Sequence, residues 1–269
     1  MHMQVDMLQN DNILYFHNHA LFSDNSITRV HVAGVEGTAG YREGATANAL
    51  FKNPWHAFTQ ISCTEIIVSD HGNRCLRMID RIAETTSEFS GTCGSDTSAF
   101  DHATKMILDK TDTRRILVIE KFLGSVKAID IDSRHVSIFA QSDFSYFHCL
   151  IQDINNGNIY VCAAHKLYQI SHDGEFVRVA GSVRGFSDST LHQSQFEAIM
   201  DAILIMPQTF LVADRNNHKL RLVDVDADEV KAFNACPDVE PECSPNSLLM
   251  TKDSLYVSSQ VSPIRKITS

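Results

Sequence analysis

The chain has 269 residues, enough for one large domain or two ordinary ones, and its 43% hydrophobic content supports a substantial core rather than a disordered segment. Lys+Arg number 23 against 33 Asp+Glu, a net charge of −10, and this disfavours nucleic acid and anionic membrane surfaces, which select a basic footprint. No apolar run reaches the roughly eighteen residues of a membrane-spanning helix, and the first residues lack the basic-then-apolar layout of a signal peptide, although a domain excised from a longer protein would have lost such flanking signals.

From the N-terminus onward, strand signals dominate and helix signals are nearly absent. Short apolar runs bounded by Asn, Asp, Gly and Ser recur along the chain. Residues 1–7 read as the innermost strand of a first unit, and residues 12–16 as its second. Further runs at 66–68, 116–119, 159–161, 210–212 and 255–257 are each followed by a turn and another strand, at 76–79, 126–129, 166–170, 220–223 and 264–267. A third strand follows at 136–139, 176–179 and 230–233. The units run 1–34, 35–91, 92–141, 142–181, 182–235 and 236–269, six in all, averaging about 45 residues, the period of a four-stranded propeller blade. The expected fold is therefore an all-β, six-bladed β-propeller of four-stranded antiparallel blades, a single domain over 1–269, with a last blade that stops after its third strand.

Two stretches are near copies. Val68-Ser69-Asp70 and Val212-Ala213-Asp214 each end a strand; Leu76-Arg77 and Leu220-Arg221 each open the next, and both close on Asp80 or Asp224. Val32-Ala33-Gly34 and Val179-Ala180-Gly181 precede them, as do Gly40 with Phe51 and Gly185 with Phe196. A carboxylate–guanidinium pair tying two strands is the expected use of Asp70 with Arg77 and of Asp214 with Arg221, with Phe51 and Phe196 wedged between neighbouring blades.

Cys63, Cys75, Cys93, Cys149, Cys162, Cys236 and Cys243 include no CxxC pair, so a structural zinc site of the usual spacing is disfavoured. Cys149 and Cys162 lie symmetrically about the Asn155-Asn156-Gly157 turn and would face each other across a hairpin; Cys236 and Cys243 flank a proline-containing loop. Free buried thiols are the alternative for both pairs. A Cys236–Cys243 bridge would imply an extracellular or luminal setting, and its absence the cytoplasm.

The two long copies resemble the NHL repeat of six-bladed β-propellers, through Ala47, Ala49, Phe51, Pro54, Ser69-Asp70, Asn73 and Leu76-Arg77 in one, and Gln195-Phe196, Ala213-Asp214, Asn217-His218 and Leu220-Arg221 in the other. The remaining units match in strand rhythm, with 264–267 the best surviving piece. The resemblance implies a scaffold that presents a face or channel mouth to a protein or peptide. In the family pattern, the position two after the inner-strand Pro is usually Gly and lies near the axial channel. Aligning the apolar inner strands puts His56, Lys105, His148, Asp201 and Ser247 at that level. With Trp55, the sole tryptophan, these form the candidate binding rim.

His56, His148 and Asp201 have the donor types that suit Zn²⁺ or another divalent ion such as Ca²⁺, which frames the alternative function, a metal-dependent lyase or hydrolase. Against it, propeller lyases that complete peptide amidation carry a zinc histidine directly after the inner-strand Pro, where this chain has Trp55. No resident cofactor is expected on the leading reading. A second histidine group, His17, His19, His71, His165 and His218, falls in the turns between second and third strands, where it could form a pH-sensitive face; His218 fits the family's Asn-His and is read as structural. RNA binding is the remaining alternative, disfavoured by charge. There is no Gly-x-Ser-x-Gly elbow, phosphate loop or dinucleotide fingerprint.

Overall fold

A computed structural model of the protein describes residues 3–6, 12–24, 28–59, 64–233, 244–251, 254–259 and 265–267. Its fold is the six-bladed β-propeller: six small antiparallel sheets, with helix confined among the described residues to three single 3-10 turns. The chain clusters into two compact units, Met1–Phe139 and Ala140–Ser269.

In the first unit, sheet 1 runs β1 (Met3–Asp6), β2 (Asn12–His17), β3 (Ala20–Asp24), β4 (Arg29–Ala33) in sequence order. The N-terminal segment is thus the first strand of its own sheet, Met3 opposite Tyr15 and Asp6 opposite Asn12. Sheet 2 holds β5 (Gly44–Ala45), β6 (Ala57–Phe58), β7 (Glu65–Asp70), β8 (Cys75–Asp80) and β9 (Thr85–Ser90), in the order β5-β9-β8-β7-β6. Its fifth strand departs from the four-stranded expectation: the connector at Gly44–Ala45 pairs with β9 and covers backbone groups that an edge strand otherwise leaves open. Sheet 3 comprises β10 (Ala103–Leu108), β11 (Arg115–Glu120), β12 (Ser125–Asp130) and β13 (Val136–Gln141), whose last two residues cross into the second unit.

The second unit carries sheet 4, with β14 (Phe147–Gln152), β15 (Ile159–Ala163), β16 (Lys166–Ile170) and β17 (Phe176–Ala180). Sheet 5 follows with β18 (Ile199–Met206), β19 (Thr209–Asp214), β20 (Lys219–Asp224) and β21 (Glu229–Phe233). Sheet 6 has three strands among the described residues, β22 (Pro245–Met250), β23 (Leu255–Ser259) and β24 (Arg265–Ile267).

Each second strand carries an unbroken apolar run because both of its faces are covered there. In β7, Ile66 and Val68 pack toward sheet 1 with Leu14, Phe16 and Leu21, while Ile67 packs toward sheet 3 with Phe100 and Met106. In β19, Phe210 and Val212 face sheet 4, and Leu211 and Ala213 face sheet 6. The period-two alternation of the strand distributes successive side chains to opposite neighbours.

The repeated Asp and Arg are fully buried. Arg77 Nη1 donates to Asp70 Oδ2 at 3.2 Å, and Arg221 Nη1 to Asp214 Oδ2 at 3.1 Å. Nη1 and Nη2 of each guanidinium also reach connector carbonyls, Leu50 at 3.3 Å and Arg42 at 2.9 Å in the first copy, Gln195 at 3.0 Å and Ser187 at 2.8 Å in the second, while the buried Nε of each has no hydrogen-bond partner. Asn73 and Asn217 each donate to the same carboxylate and to the carbonyl of Gly40 or Gly185. Two aromatic rings flank each guanidinium, Tyr41 at 4.8 Å with Phe51 at 5.3 Å, and Phe186 at 4.7 Å with Phe196 at 4.9 Å. Phe51 and Phe196 are fully buried between neighbouring sheets.

Sheet 3 carries a weaker version at the same spacing. Glu120 ends β11 and Lys127 lies 3.8 Å from it, with the Lys127 ammonium 5.4 Å from the Phe100 ring. In sheets 1 and 4, strand register puts Phe22 and Tyr168 at the level of Arg77, where they stack on Tyr15 at 5.9 Å and Phe144 at 4.5 Å. Where ring stacking replaces the ion pair, no motif is visible in the sequence.

Removing one partner of such a pair leaves a buried charge unmatched. Arg221→Met is expected to lower stability by roughly 3–5 kcal/mol. The double variant Asp214→Asn with Arg221→Met should lose less than the sum of the two single changes. Urea denaturation of the four proteins measures both.

Candidate functional site

The scaffold built on Asp70 holds a loop. Asp70 Oδ1 accepts the Lys52 N–H at 2.8 Å, the Gly72 N–H reaches the Lys52 carbonyl at 2.7 Å, and the Trp55 N–H reaches the Ser69 carbonyl at 2.9 Å. A β-carbon on Gly72 would sit 2.6 Å from that carbonyl, so only glycine lets the turn after β7 approach so closely. The turn between β2 and β3 is pinned to the same loop, for the Asn53 N–H donates to His19 Nδ1 at 3.2 Å.

These segments enclose a cleft of about 440 Å³ lined by Phe16, Asn18, His19, Asn53, Pro54, Trp55 and His71, all in the first unit. An aromatic strip continues from it. The Trp55 and His71 rings are 5.4 Å apart, His71 and His102 4.7 Å, and His102 and Phe122 4.9 Å. The Lys121 ammonium lies 4.4 Å from the indole centroid and 5.5 Å from the Phe122 ring. Phe122 and Leu123, on the turn between β11 and β12, are 43% and 49% exposed, unusual for large apolar side chains set side by side.

His71 Nδ1 lies 3.3 Å from the Ala103 carbonyl and must donate to it, which leaves Nε2 as an acceptor. His19 is the reverse, since its Nδ1 accepts from Asn53 and its neutral form carries the proton on Nε2. Burial first, and then the neighbouring His102 charge, hold the His71 pKa down at about 4. His71 is therefore a neutral imidazole at pH 7.

The second copy of the repeat is an internal control. Counting from Phe51 and Phe196, Lys52 corresponds to Glu197, Asn53 to Ala198 and Trp55 to Met200; after the carboxylates, His71 corresponds to Arg215. Asp214 still accepts the backbone N–H groups of Glu197 and Ala198 at 3.0 and 3.2 Å. The scaffold is retained and the cleft chemistry is not.

The inner-strand residues have other surroundings. His56 Nδ1 accepts the Met106 N–H at 3.3 Å, and desolvation, with the Lys105 charge second, lowers its pKa to about 3. Buried Asp201 accepts the N–H groups of Ala202 at 2.9 Å and Leu248 at 3.0 Å, tying sheet 5 to sheet 6. Ser247, the residue before Leu248 on β22, is also buried.

Strand register corrects one placement. Ala57, Met106, Leu150, Ala202 and Leu248 face equivalent residues of their second strands, so the residue level with His56, Lys105, Asp201 and Ser247 in sheet 4 is Cys149. His148 falls in the bulge between Phe147 and Cys149, the place that Met200 takes in sheet 5 and Asn246 in sheet 6. Among the described residues, no three His, Cys, Asp or Glu side chains are grouped to hold a metal ion.

Of the turn histidines, His19 and His71 share the cleft. His17 Nδ1 contacts Glu36 at 2.7 Å and His218 Nδ1 contacts Ser244 Oγ at 3.0 Å; His165 and His218 belong to the second unit.

Cys149 and Cys162 are directly opposite on β14 and β15 and are disulfide-bonded, with Cα atoms 4.9 Å apart. A second bridge, Cys75–Cys93, also spans 4.9 Å between Cα atoms. It fastens the connector after β9 beside the turn that bears His71, where the Gly94 N–H also reaches the Asn73 carbonyl at 2.7 Å and Arg74 pairs with Asp96 and Asp101 at 2.7 and 2.8 Å. Cys236 and Cys243 lie outside the described residues. No helix among the described residues is long and apolar enough to cross a membrane.

No protein-family model matches the chain, and no curated protein matches its sequence. Among solved structures, it is similar to an auxiliary nutrient binding protein from Bacteroides ovatus, with a TM-score of 0.69 at 12% identity over 96% of this chain and 66% of that one. It is also similar to a chain of a nidogen/laminin complex, TM-score 0.63 at 10% identity over 92% and 85% of the two chains. A virginiamycin B lyase from Staphylococcus aureus gives 0.62 at 10% identity over 99% and 79%. At these identities the likeness concerns the fold alone.

Two measurements follow from this geometry. A His71 pKa of about 4, against 6.5 for a free imidazole, means that its contribution to stability is complete above pH 6.5 and is lost as pH falls toward 4. Trp55 emission should show an acid transition with a midpoint near pH 4, absent in His71→Gln; His102, Lys121 and Asp101 are the charges that bear on it. Replacing Cys75 and Cys93 together by Ser should lower unfolding free energy by roughly 3 kcal/mol, as expected for a loop of that length, in denaturant titrations.

Proposed function

We propose that this protein is a non-enzymatic, NHL-like propeller that binds a peptide segment of a partner through the Trp55 cleft. The observation that carries this reading is the pairing of a retained scaffold with a divergent lining. Both repeats keep the buried Asp–Arg pair, but the first alone sets Trp55, Asn53 and His71 on it. Half-buried aromatic and imidazole side chains on a rigid loop, bordered by exposed Phe122 and Leu123, make an anchor pocket with an apolar margin, the usual layout of a binding hot spot. The volume of about 440 Å³ suits one or two peptide side chains rather than a folded domain. Two disulfides, Cys75–Cys93 and Cys149–Cys162, favour an extracellular or luminal place of action, because thiols stay reduced in the cytosol.

Trp55 is the sole tryptophan of the chain, so its emission reports on the cleft directly. Peptides selected from a random display library against the folded protein should shift that emission. They should lose at least about tenfold in affinity, by calorimetry, in Trp55→Met. Met occupies the corresponding position 200 in the second repeat, so this change is compatible with the scaffold. Selected peptides that leave Trp55 emission unchanged and bind Trp55→Met at full affinity would overturn the proposal.

A further inference from the structure

Resting on the reading of the cleft as a peptide site, we propose that its ligand is a peptide carboxyl terminus: the terminal carboxylate is held by the polar lining, and the last side chain, an apolar one, lies on Phe16, Pro54 and Trp55.

The charge distribution is the first argument. The chain carries 33 acidic residues and a net charge of −10, yet none of the seven residues lining the cleft is acidic. At physiological salt, charges are screened over about 8 Å, so a ligand in the cleft responds to its lining and margin and not to the remote carboxylates. At the margin stand two cations, Lys121 4.4 Å from the Trp55 ring centroid and exposed Lys52 in the loop that bears Asn53 and Trp55, and one carboxylate, Asp101, which is already paired with Arg74 at 2.8 Å and with His102 at 3.0 Å. In the second repeat, the counterpart of Lys52 is Glu197.

Hydrogen-bonding capacity is the second. His19 has its Nδ1 engaged by the Asn53 N–H and keeps a proton on Nε2; Asn18 and Asn53 add side-chain amide donors to the lining. These are donors for a carboxylate. His71 has Nδ1 engaged by the Ala103 carbonyl and keeps Nε2 as an acceptor, suited to the backbone N–H of the terminal residue. One donor set and one acceptor within the same lining match the two faces of a terminal residue, whereas the backbone of an internal peptide residue brings no charge. Size is the third: about 440 Å³ accommodates the end of a chain.

The test uses three probes of one sequence ending in Leu-Phe: the free acid, the carboxyl-terminal amide, and an amide with an internal Asp one residue before Leu. Binding is read by Trp55 emission and calorimetry. The free acid is expected to bind about tenfold tighter than the amide, the size of one charge-assisted contact set. The advantage should fall below about twofold in 1 M NaCl and in Lys52→Glu, which installs the residue of the second repeat; Lys121→Met serves as an independent variant. Equal binding of acid and amide overturns the carboxylate assignment, and equal binding of acid and internal-Asp amide overturns the terminal position. Failure of all three probes, while library-selected peptides still bind at Trp55, also rejects this inference and leaves the peptide site standing. Failure of both the probes and the selected peptides rejects the site itself.

Discussion

A buried arginine between two aromatic rings, bound to a buried aspartate seven residues earlier, is the interaction on which the best-formed blades depend. Arg77 and Arg221 have no exposed surface, and neither do Asp70 and Asp214. Such a pair survives desolvation because the carboxylate and both Nη atoms are matched: the guanidinium ties the second and third strands to the connector carbonyls, the asparagine of the turn adds a second donor, and the rings supply the faces that a guanidinium prefers. The pair joins three pieces of chain that are far apart in sequence, which is why it recurs wherever a long connector has to be fixed to its own blade.

The same carboxylate does a second job in the first repeat. Its outer oxygen accepts the Lys52 N–H, and the loop so anchored brings Trp55 beside His71. In the fifth sheet, Asp214 holds residues 197 and 198 in the same way, and that loop carries Glu197, Ala198 and Met200. Identical anchoring with different cargo separates what the fold requires from what the site requires. Comparing the two copies also shows why a propeller lends itself to this: backbone geometry is set blade by blade, so side chains on the loops can vary without loss of stability.

Blade architecture was legible because it depends on periodicity. Apolar runs at regular intervals followed by Asn-, Asp- or Gly-rich turns gave six sheets, and the Asp and Arg of facing strands could be paired by their spacing. Sheets 1 and 4 were legible only through rhythm, since Phe22 on Tyr15 and Tyr168 on Phe144 replace the ion pair with ring stacking, which no residue pattern announces. The inner strands were misaligned by one residue in sheet 4, where His148 was placed level with Asp201; Cys149 holds that level and His148 takes the bulge position that sheets 5 and 6 share, because an apolar run does not mark where its bulge falls. Cys75 and Cys93 show no hairpin symmetry, so their bridge follows from a connector folding back over the turn, a tertiary fact.

The cleft was the least legible feature, and the reason is physical. Its lining comes from three places: the turn at Asn18 and His19, the loop at Asn53 to Trp55, and the turn at His71. Two of these were visible as separate features, a histidine-bearing turn face and a lone tryptophan, but nothing in one dimension brings them together. What brings them together is the Asn53 N–H on the His19 ring and the Gly72 N–H on the Lys52 carbonyl, two contacts made by backbone donors whose partners lie 34 and 20 residues apart in the chain numbering. The glycine at 72 could have been a signal, since its counterpart in the second repeat is Asn216: a residue without a side chain, at a turn of the same backbone geometry in both copies, marks a place where another strand of backbone must come close. Sequence comparison between internal repeats therefore carries most of its functional information in the positions that fail to match.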